Sequence, residues 1–360
     1  MTEESNNAQG KMILEHPGVT RREFIGTAAT GAAVLYTSPV LAWGAETGSR
    51  VVKVHHAGLV NPDGSLNPEN ARAGVDRAVE LLTGKADLSD AWQMIFPKLQ
   101  STDTIGLKVN CISRKCPTHP EVAYGIAESM VDGLGMNPNN IIIWDRTSSE
   151  LKKTGYTLNR SEDGIRCFGT VEKFSIPRWI ANAKQNEAEG IGYDRSLPVD
   201  SGDGVTSYLS NILTRMSTYL INVPVLKDHG LAGVTLSMKN HYGSIDNPRD
   251  CHGGFCDPFI ARINAHPQIR NKTKLVICDA ALGVSRGGPR GAPDFQPNRI
   301  LASFDPVAID YTGMQMINER RKQNNDDPVT SMAVHIETAN TLGLGTGIPE
   351  QIELKEARIG

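Results

Sequence analysis

The sequence lacks a long hydrophobic run, a basic tract and an internal repeat. Its 37 Lys and Arg residues nearly balance 40 Asp and Glu residues, and only 6% of the chain is aromatic. This composition argues against nucleic-acid binding, which requires a basic surface. No segment after residue 42 reaches the roughly 20 apolar residues of a membrane-spanning helix, so we predict no stable span after removal of the N-terminal segment. The Gly-x-Ser-x-Gly and His-Glu-x-x-His motifs are also absent, which argues against serine hydrolases and zinc proteases.

The N-terminal region has the pattern of an export signal. Arg21 and Arg22 precede a Phe-Ile pair, and residues 27–41 are uncharged and rich in Ala, Gly and Thr. This pattern is typical of a twin-arginine signal, with cleavage expected after Ala42. One alternative is a surface helix, but the segment lacks the polar face that such a helix needs; a retained anchor is the other. We therefore predict that residues 1–42 are a polar segment plus signal peptide and that the protein is periplasmic.

The rest of the chain alternates between strand and helix patterns. A strand at 104–110, a helix at 120–134 and a strand at 140–145 predict a βαβ unit, which favours a parallel sheet. We predict one α/β domain over 43–360, with a largely parallel, mixed sheet flanked by helices. Residues 151–205 are polar and loop-rich, which indicates an insertion or small lobe. The other expected elements are strands at 51–54, 169–174, 219–226, 275–279, 299–304 and 351–354, and helices at 71–83, 208–214 and 307–320.

The six cysteines allow two interpretations. An even number in an exported chain indicates disulfides. Two Cys-x4-Cys pairs, Cys111/Cys116 and Cys251/Cys256, are instead compatible with a divalent metal or an iron–sulfur cluster. The segment 250–258 holds thiol, imidazole and carboxylate donors for zinc or iron, and a Cys251–Cys256 disulfide is the alternative. The predicted metal ligands are Cys111, Cys167, His252 and Cys256.

Polar side chains follow five of the expected strands. In open α/β sheets, ligands bind beyond the carboxyl ends of the strands. The set therefore favours a functional cleft, although strands also end at polar surfaces for no functional reason. The residues at these ends are Lys108, Asn110, Asp145, Arg146, Lys227, Asp228, His229, Asp279 and Asp305.

The densest polar segment is 227–243, and we expect a polar loop and a helix over residues 227–240. Lysine and histidine side chains can bind a carboxylate or phosphate, and His229 could act as a general base near neutral pH. A solvated basic helix is the alternative, but several apolar residues in the segment argue against it. We predict catalytic roles for Lys227, His229 and Lys239. The predicted ligand-binding residues are Lys108, Asn110, Asp145, Arg146, Asn240, His241, Asp279, Asp305 and Asp310.

The glycine-rich segment 287–291 follows the strand that ends at Asp279. It lacks the lysine of a phosphate-binding loop and the spacing of a dinucleotide-binding motif. We expect it to form a turn that lets the backbone approach the cleft.

Six short motifs carry a family resemblance; they lie at 108–110, 222–229, 233–243, 279–280, 287–289 and 303–310. In this order they resemble the family described as domain of unknown function 362, over roughly residues 51–320. The resemblance implies two kinds of relative. Some are fused to ferredoxin-type modules and are called iron–sulfur proteins, and others carry a twin-arginine leader without such a module. This chain is similar to the second kind, because it has no run of Cys-x2-Cys motifs.

Three functional hypotheses follow. The first is an exported enzyme or redox-associated protein whose cleft binds a small anionic molecule, with the aspartates orienting the bases or helping to bind a metal. The second is a metal or iron–sulfur protein that passes electrons to a redox partner protein. The third is a non-catalytic periplasmic binding or assembly factor with structural cysteines.

Overall fold

A ten-stranded mixed sheet is the centre of the computed structural model, which describes residues 49–173 and 190–360. Its strands are β1 (Ser49–His56), β2 (Ile105–Lys108), β3 (Ile141–Thr147), β4 (Arg166–Val171), β7 (Tyr219–Asn222), β8 (Val225–His229), β9 (Gly233–Thr235), β10 (Thr273–Val284), β11 (Arg299–Ser303) and β12 (Ile352–Ile359). Eight of them lie in the order β12-β1-β11-β10-β7-β2-β3-β4, and β8 joins β9 to β10. A separate hairpin is formed by β5 (Tyr193–Gly202) and β6 (Val205–Ser210).

Most strand pairs in the large sheet are parallel. This holds for β2 with β3 and β7, β3 with β4, β10 with β7 and β8, and β1 with β12. Antiparallel pairing occurs where β11 lies between β1 and β10 and in the β8–β9 hairpin. The expected α/β class with a largely parallel, mixed sheet is confirmed. The domain limits at 43 and 360 stay a prediction, and residues 174–189 of the expected insertion lie outside the described residues.

Helices cover the sheet: α1 (Pro68–Thr83), α2 (Leu88–Ile95), α3 (Pro120–Leu134), α4 (Ser148–Lys153), α5 (Ser237–Asn240), α6 (Phe259–Ala265), α7 (Pro267–Arg270), α8 (Pro306–Gln323) and α9 (His335–Thr341). The first begins where the Asn67 side chain accepts a hydrogen bond from the Asn70 amide, and it ends at Gly84 with φ 73°. The third ends similarly at Gly135, with φ 63°. Both ends use glycine because the left-handed conformation penalises a Cβ atom.

Alternate residues of the central strands feed two hydrophobic cores on opposite faces of the sheet. On β3, Ile141 and Ile143 pack with the core that contains α1, α2 and α3. Ile142 and Trp144 pack with the core that contains α6, α8 and α9. Since side chains alternate along a strand, burial on both faces explains the continuous apolar run that marked this strand in the sequence.

The structure differs from expectation around residues 205–240. The strand expected at 219–226 is two strands, β7 and β8, because Pro224 has no amide hydrogen to continue the ladder. The helix expected at 208–214 is wrong: this region holds the end of β6 and a single π-turn at Ile212–Met216. Residues 227–235, expected as loop and helix, form the β8–β9 hairpin. Only Ser237–Asn240 is helical there.

The predicted signal peptide at 1–42 lies outside the described residues, as does Phe174 at the end of the strand expected at 169–174. Over the part of the chain that the structure describes, no helix combines the length and hydropathy needed to span a bilayer.

Asp305 should be a strong stability determinant, because its side chain begins α8. One oxygen accepts hydrogen bonds from the amides of Val307 and Ala308, at 2.8 and 2.9 Å, and the other accepts from Thr346 N at 2.9 Å and from the Ser49 hydroxyl. We predict that Asp305→Ala lowers the free energy of unfolding by about 2 kcal/mol. Urea denaturation measures this. The control is Glu128→Ala on the exposed face of α3, and equal stability of the two variants would contradict the capping role.

Candidate functional site

A buried hydrogen-bond network lies at the carboxyl ends of β2, β3 and β8. Lys108 Nζ lies 2.7 Å from Asp145 Oδ1 and 3.3 Å from Asn240 Oδ1. Asn110 Nδ2 donates to the same Asn240 oxygen at 3.1 Å, and Lys227 Nζ donates to Asn110 Oδ1 at 2.7 Å. Because parallel strands end at the same edge of a sheet, residues from distant parts of the sequence meet here. The structure thus brings together five of the predicted site residues.

Asn240 is the centre of this network. Its oxygen accepts from Lys108 and Asn110, and its nitrogen donates to Lys108 O at 3.0 Å and to Asn222 Oδ1 at 2.7 Å. Asp145 is equally occupied, since it also accepts from the amides of Cys111 and Arg146. A side chain whose donors and acceptors are all engaged has none left for a ligand. Lys108 and Asn240 therefore position the site, whereas the sequence indicated direct ligand contact; Asp145 orients Lys108, which is the role that the first hypothesis gave to the aspartates.

Gly243 allows the chain to pack directly on the ion pair. A Cβ atom at this position would lie 2.6 Å from both Asp145 Oδ1 and Lys108 Nζ. Gly288 plays a similar part in the glycine-rich segment, where its amide donates to Asp228 Oδ1 at 2.7 Å. A Cβ atom there would lie 2.0 Å from the Asp228 carbonyl oxygen. The turn therefore packs closely on Asp228, and its approach to a cleft stays a prediction.

A second cluster, formed by His229, Lys239, Tyr242 and His252, adjoins the network. Lys239 Nζ lies 3.3 Å from His252 Nε2 and 3.7 Å from the centroid of the Tyr242 ring. The His229 and His252 ring centroids are 5.8 Å apart. Lys239 and Asn240 are neighbours on the single turn of α5, so one short helix contributes to both the cluster and the network.

The tautomers of the two histidines follow from their backbone contacts. His252 Nδ1 lies 2.7 Å from the Pro248 carbonyl oxygen, so this nitrogen carries the proton and Nε2 accepts from Lys239. His229 Nδ1 accepts from the amides of Leu231 and Ala232, both at 3.1 Å, so its proton is on Nε2. Burial and the charge of Lys239 lower the pKa of His229 to about 2. His229 is therefore suited to donate a hydrogen bond, and the geometry does not favour the general-base role that we expected.

Lys227 and Lys239 differ from Lys108 in having no ion-pair partner among the described residues. Lys227 Nζ donates to Asn110 Oδ1 and to the Cys116 carbonyl oxygen, and Lys239 Nζ contacts His252 and the Cys256 thiol. Burial lowers the pKa of each amine to about 8. Each ammonium group has three N–H donors; two of those on Lys227 have protein acceptors, and Lys239 contacts His252, Cys256 and the Tyr242 ring.

The remaining predicted ligand-binding residues have other partners. Asp310 accepts hydrogen bonds from the amides of Ser237 and Met238, so it holds the start of α5. Asp305 caps α8 and belongs to neither the network nor the cluster, which corrects its assignment as a ligand residue. The other three are engaged as follows: Arg146 pairs with Glu150, His241 contacts Ser244, and Asp279 contacts His119.

Sequence reasoning missed His119, Asn222 and Tyr242. His119 precedes Pro120 at the start of α3, and its position on the loop after β2 could have indicated a site residue. Tyr242 lies inside the polar segment 227–243. Its contact with Lys239, through the face of its ring, is visible only in the three-dimensional structure. Asn222 is a buried strand residue, and its role appears only through its contact with Asn240.

The predicted metal ligands do not converge. Cys111 and Cys167 belong to one hydrophobic core, whereas Cys256 belongs to the other and lies beside Lys239. Within residues 49–173 and 190–360, no group of three or more His, Cys, Asp or Glu side chains is arranged to hold a metal ion. All six cysteines are buried free thiols, so the Cys251–Cys256 disulfide is not formed either. The donor set therefore does not fit a metal or an iron–sulfur cluster.

The backbone beside His252 is strained. Phe255 and Cys256 have φ values of 60° and 63°, in the left-handed region that residues with a Cβ atom rarely adopt. The Phe255 side chain is nevertheless 50% exposed. Strain of this kind persists only where the surrounding structure imposes it, and it is concentrated at functional sites.

A cavity of about 500 Å³ lies elsewhere, near Lys53 and Arg320, and none of the predicted site residues lines it.

The fold and site define a class of α/β protein in which parallel strands end on a buried, lysine-rich hydrogen-bond network. The chain belongs to the family described as domain of unknown function (DUF362), whose model matches residues 105–315. No curated protein matches it. A crystal structure of a protein from Thermotoga maritima is similar over 77% of this chain, at 13% identity and a TM-score of 0.38, and the chain spans 59% of that protein.

Removal of the Asn240 amide should destabilise the fold strongly. Asn240→Ala leaves the Asn110 amide donor and one of the Lys108 donors without an acceptor, so we predict a loss of about 3 kcal/mol in the free energy of unfolding. Denaturant titration of the purified protein gives this value. Asn61→Ala, which removes an amide hydrogen-bonded at the surface, should change it by less than about 1 kcal/mol. Comparable losses in the two variants would show that the network is not integral to the fold.

Proposed function

We propose that the protein binds a small anionic molecule, through a phosphate or carboxylate group, at His229, Lys227 and Lys239. We further propose that it does so in the periplasm, after export by the twin-arginine route. The observation that carries the proposal is the pair of buried lysines, Lys227 and Lys239, without ion-pair partners in the described chain.

Burial of an ammonium group without a counterion is energetically costly. Lys108 avoids this cost through Asp145, but Lys227 and Lys239 contact only neutral oxygen, nitrogen and sulfur atoms and an aromatic ring. An anion would supply the missing charge and accept the remaining N–H donors.

His229 adds a third donor to this group. Its tautomer directs the proton to Nε2, and the ring stays neutral because burial lowers its pKa. Three donors, with no ion pair to either lysine in the described part of the chain, favour an acceptor-rich ligand, as charge-assisted hydrogen bonds to phosphate or carboxylate are stronger than neutral ones.

The binding could serve an enzyme or redox-associated protein. Binding without catalysis, as in a periplasmic binding or assembly factor, is the alternative, and the same lysines would serve it. The redox hypothesis that relied on a metal or iron–sulfur cluster has less support, because Cys111 and Cys167 lie in one core, whereas His252 and Cys256 lie together beside Lys239.

Anions should stabilise the purified protein specifically. We predict that phosphate, sulfate or a small carboxylate raises the melting temperature above that in chloride of equal ionic strength. The free energy of unfolding should increase by about 2.7 kcal/mol when the anion concentration is a hundred times the dissociation constant. Lys239→Met should abolish the effect, and the exposed-lysine control Lys98→Met should retain it. Equal responses in both variants, or none in the wild type, would refute the proposal.

The pH dependence of stability gives an independent test. Burial lowers the pKa of Lys227 and Lys239 from 10.5 to about 8, so between these values the unfolded chain binds more protons than the folded one. The free energy of unfolding should therefore rise with pH across this window. Urea denaturation at a series of pH values should show a smaller rise in the Lys227→Met/Lys239→Met variant. Saturating phosphate should also reduce the rise, because it favours the charged amines; identical slopes in both proteins would count against buried, titrating lysines.

A further inference from the structure

His119 and Asp279 form a side-chain pair that the anion site described above does not use. His119 Nδ1 lies 2.6 Å from Asp279 Oδ2, and the same oxygen accepts the His119 amide at 2.8 Å. The other carboxylate oxygen accepts from Ala281 N at 3.1 Å. Asp279 is fully buried on β10, so its orientation is fixed by these contacts.

The carboxylate determines which nitrogen of His119 can react. Because Asp279 accepts a hydrogen bond from Nδ1, the neutral ring has its lone pair on Nε2. The described part of the chain provides no partner for Nε2, and the side chain is 14% exposed. A histidine oriented by a buried aspartate, with its second nitrogen accessible, has the geometry of a general acid–base pair.

The pair adjoins the proposed anion site through the loop that precedes α3. Lys227 Nζ donates to the Cys116 carbonyl oxygen at 3.1 Å. Two residues further, Thr118 Oγ1 accepts from the Asn110 amide at 2.9 Å and donates to Val223 O at 2.7 Å. This loop therefore holds His119 at a fixed position relative to Lys227.

The charged groups that face His119 are Asp279 from β10, Glu121 from α3 and Lys227 from β8. Burial and Lys227 act to lower its pKa, whereas the charge of Asp279, the hydrogen bond to it and Glu121 act to raise it. The carboxylate prevails, and the pKa of His119 is raised. The ring is thus able to accept and hold a proton.

We propose that His119, oriented by Asp279, is a general acid–base residue that exchanges a proton with a hydroxylated carboxylate or phosphate bound at Lys227 and Lys239. The proposal rests on the anion site proposed above. In the forward step, the O–H bond of the ligand breaks and an N–H bond forms at Nε2. The electron pair stays on the ligand oxygen, where the Lys227 ammonium stabilises it, and Asp279 stabilises the imidazolium. The reverse step returns the proton.

The test uses the acylating reagent diethyl pyrocarbonate, which reacts with unprotonated imidazole nitrogen, and peptide mass spectrometry to follow each histidine. We expect phosphate to slow the modification of His119 about tenfold when its concentration is roughly ten times the dissociation constant. The control is His266, which caps α7 away from the site. Its rate should not depend on phosphate.

The pH profile tests whether Asp279 raises the pKa of His119, as the proposed proton exchange requires, and the phosphate protection separates this role from a purely structural pair. The half-maximal reactivity of His119 should occur at a higher pH than that of His266, since the pKa of His119 is raised and that of His266 is lowered by burial. Asp279→Asn should move the His119 profile to lower pH. If that variant does not fold, the comparison of the two histidines in the wild type still decides the matter.

The outcomes distinguish the two proposals. If phosphate raises the melting temperature but does not protect His119, the acid–base proposal is overturned and the anion site stands. If phosphate neither stabilises the protein nor protects His119, the anion site fails and the acid–base role fails with it. An unreactive His119 in the native protein would also overturn the acid–base role.

Discussion

The arrangement of the site depends on the buried ion pair between Lys108 and Asp145. Asp145 neutralises the charge of Lys108. Hydrogen bonds through the side-chain amides of Asn240 and Asn110 then connect this pair to Lys227 and fix its position. A buried polar network of this kind is rigid when every member is satisfied and costly when one is missing. One lysine with an ion-pair partner thus positions a second that has none among the described residues, and this contrast is the basis of the proposed anion site.

The single turn α5 connects the two halves of the site. Its first amides are held by the buried carboxylate of Asp310, and its last two residues, Lys239 and Asn240, belong to the second cluster and the network. The β8–β9 hairpin presents Lys227 and His229 on the same side, since they are two residues apart on a strand. The short elements α5 and the β8–β9 hairpin therefore position the side chains of the site. The large sheet provides the edge at which these side chains meet.

Much of the fold and part of the site could be predicted from the sequence. The β2–α3–β3 unit was evident because local periodicity, a helix-initiating proline and a terminal glycine all agreed. The convergence of Lys108, Asn110 and Lys227 followed from the geometry of parallel strands. The sequence could not show which partner each polar side chain binds. Asp305 resembles a site residue in sequence but satisfies backbone amides of its own helix, and His119 gains its significance from a carboxylate 160 residues away.

The position of β1 between β11 and β12 has a consequence for how the chain reaches this state. Val51 pairs with both Ser303 and Leu354, so the first described strand finds its neighbours only near the far end of the polypeptide. Pairings so distant in sequence close very large loops and form slowly. During synthesis, the central βαβ units can assemble before β1 has a strand to pair with, because both of its partners are made much later. Completion of the sheet is therefore a late event that requires nearly all of the described chain to have left the ribosome.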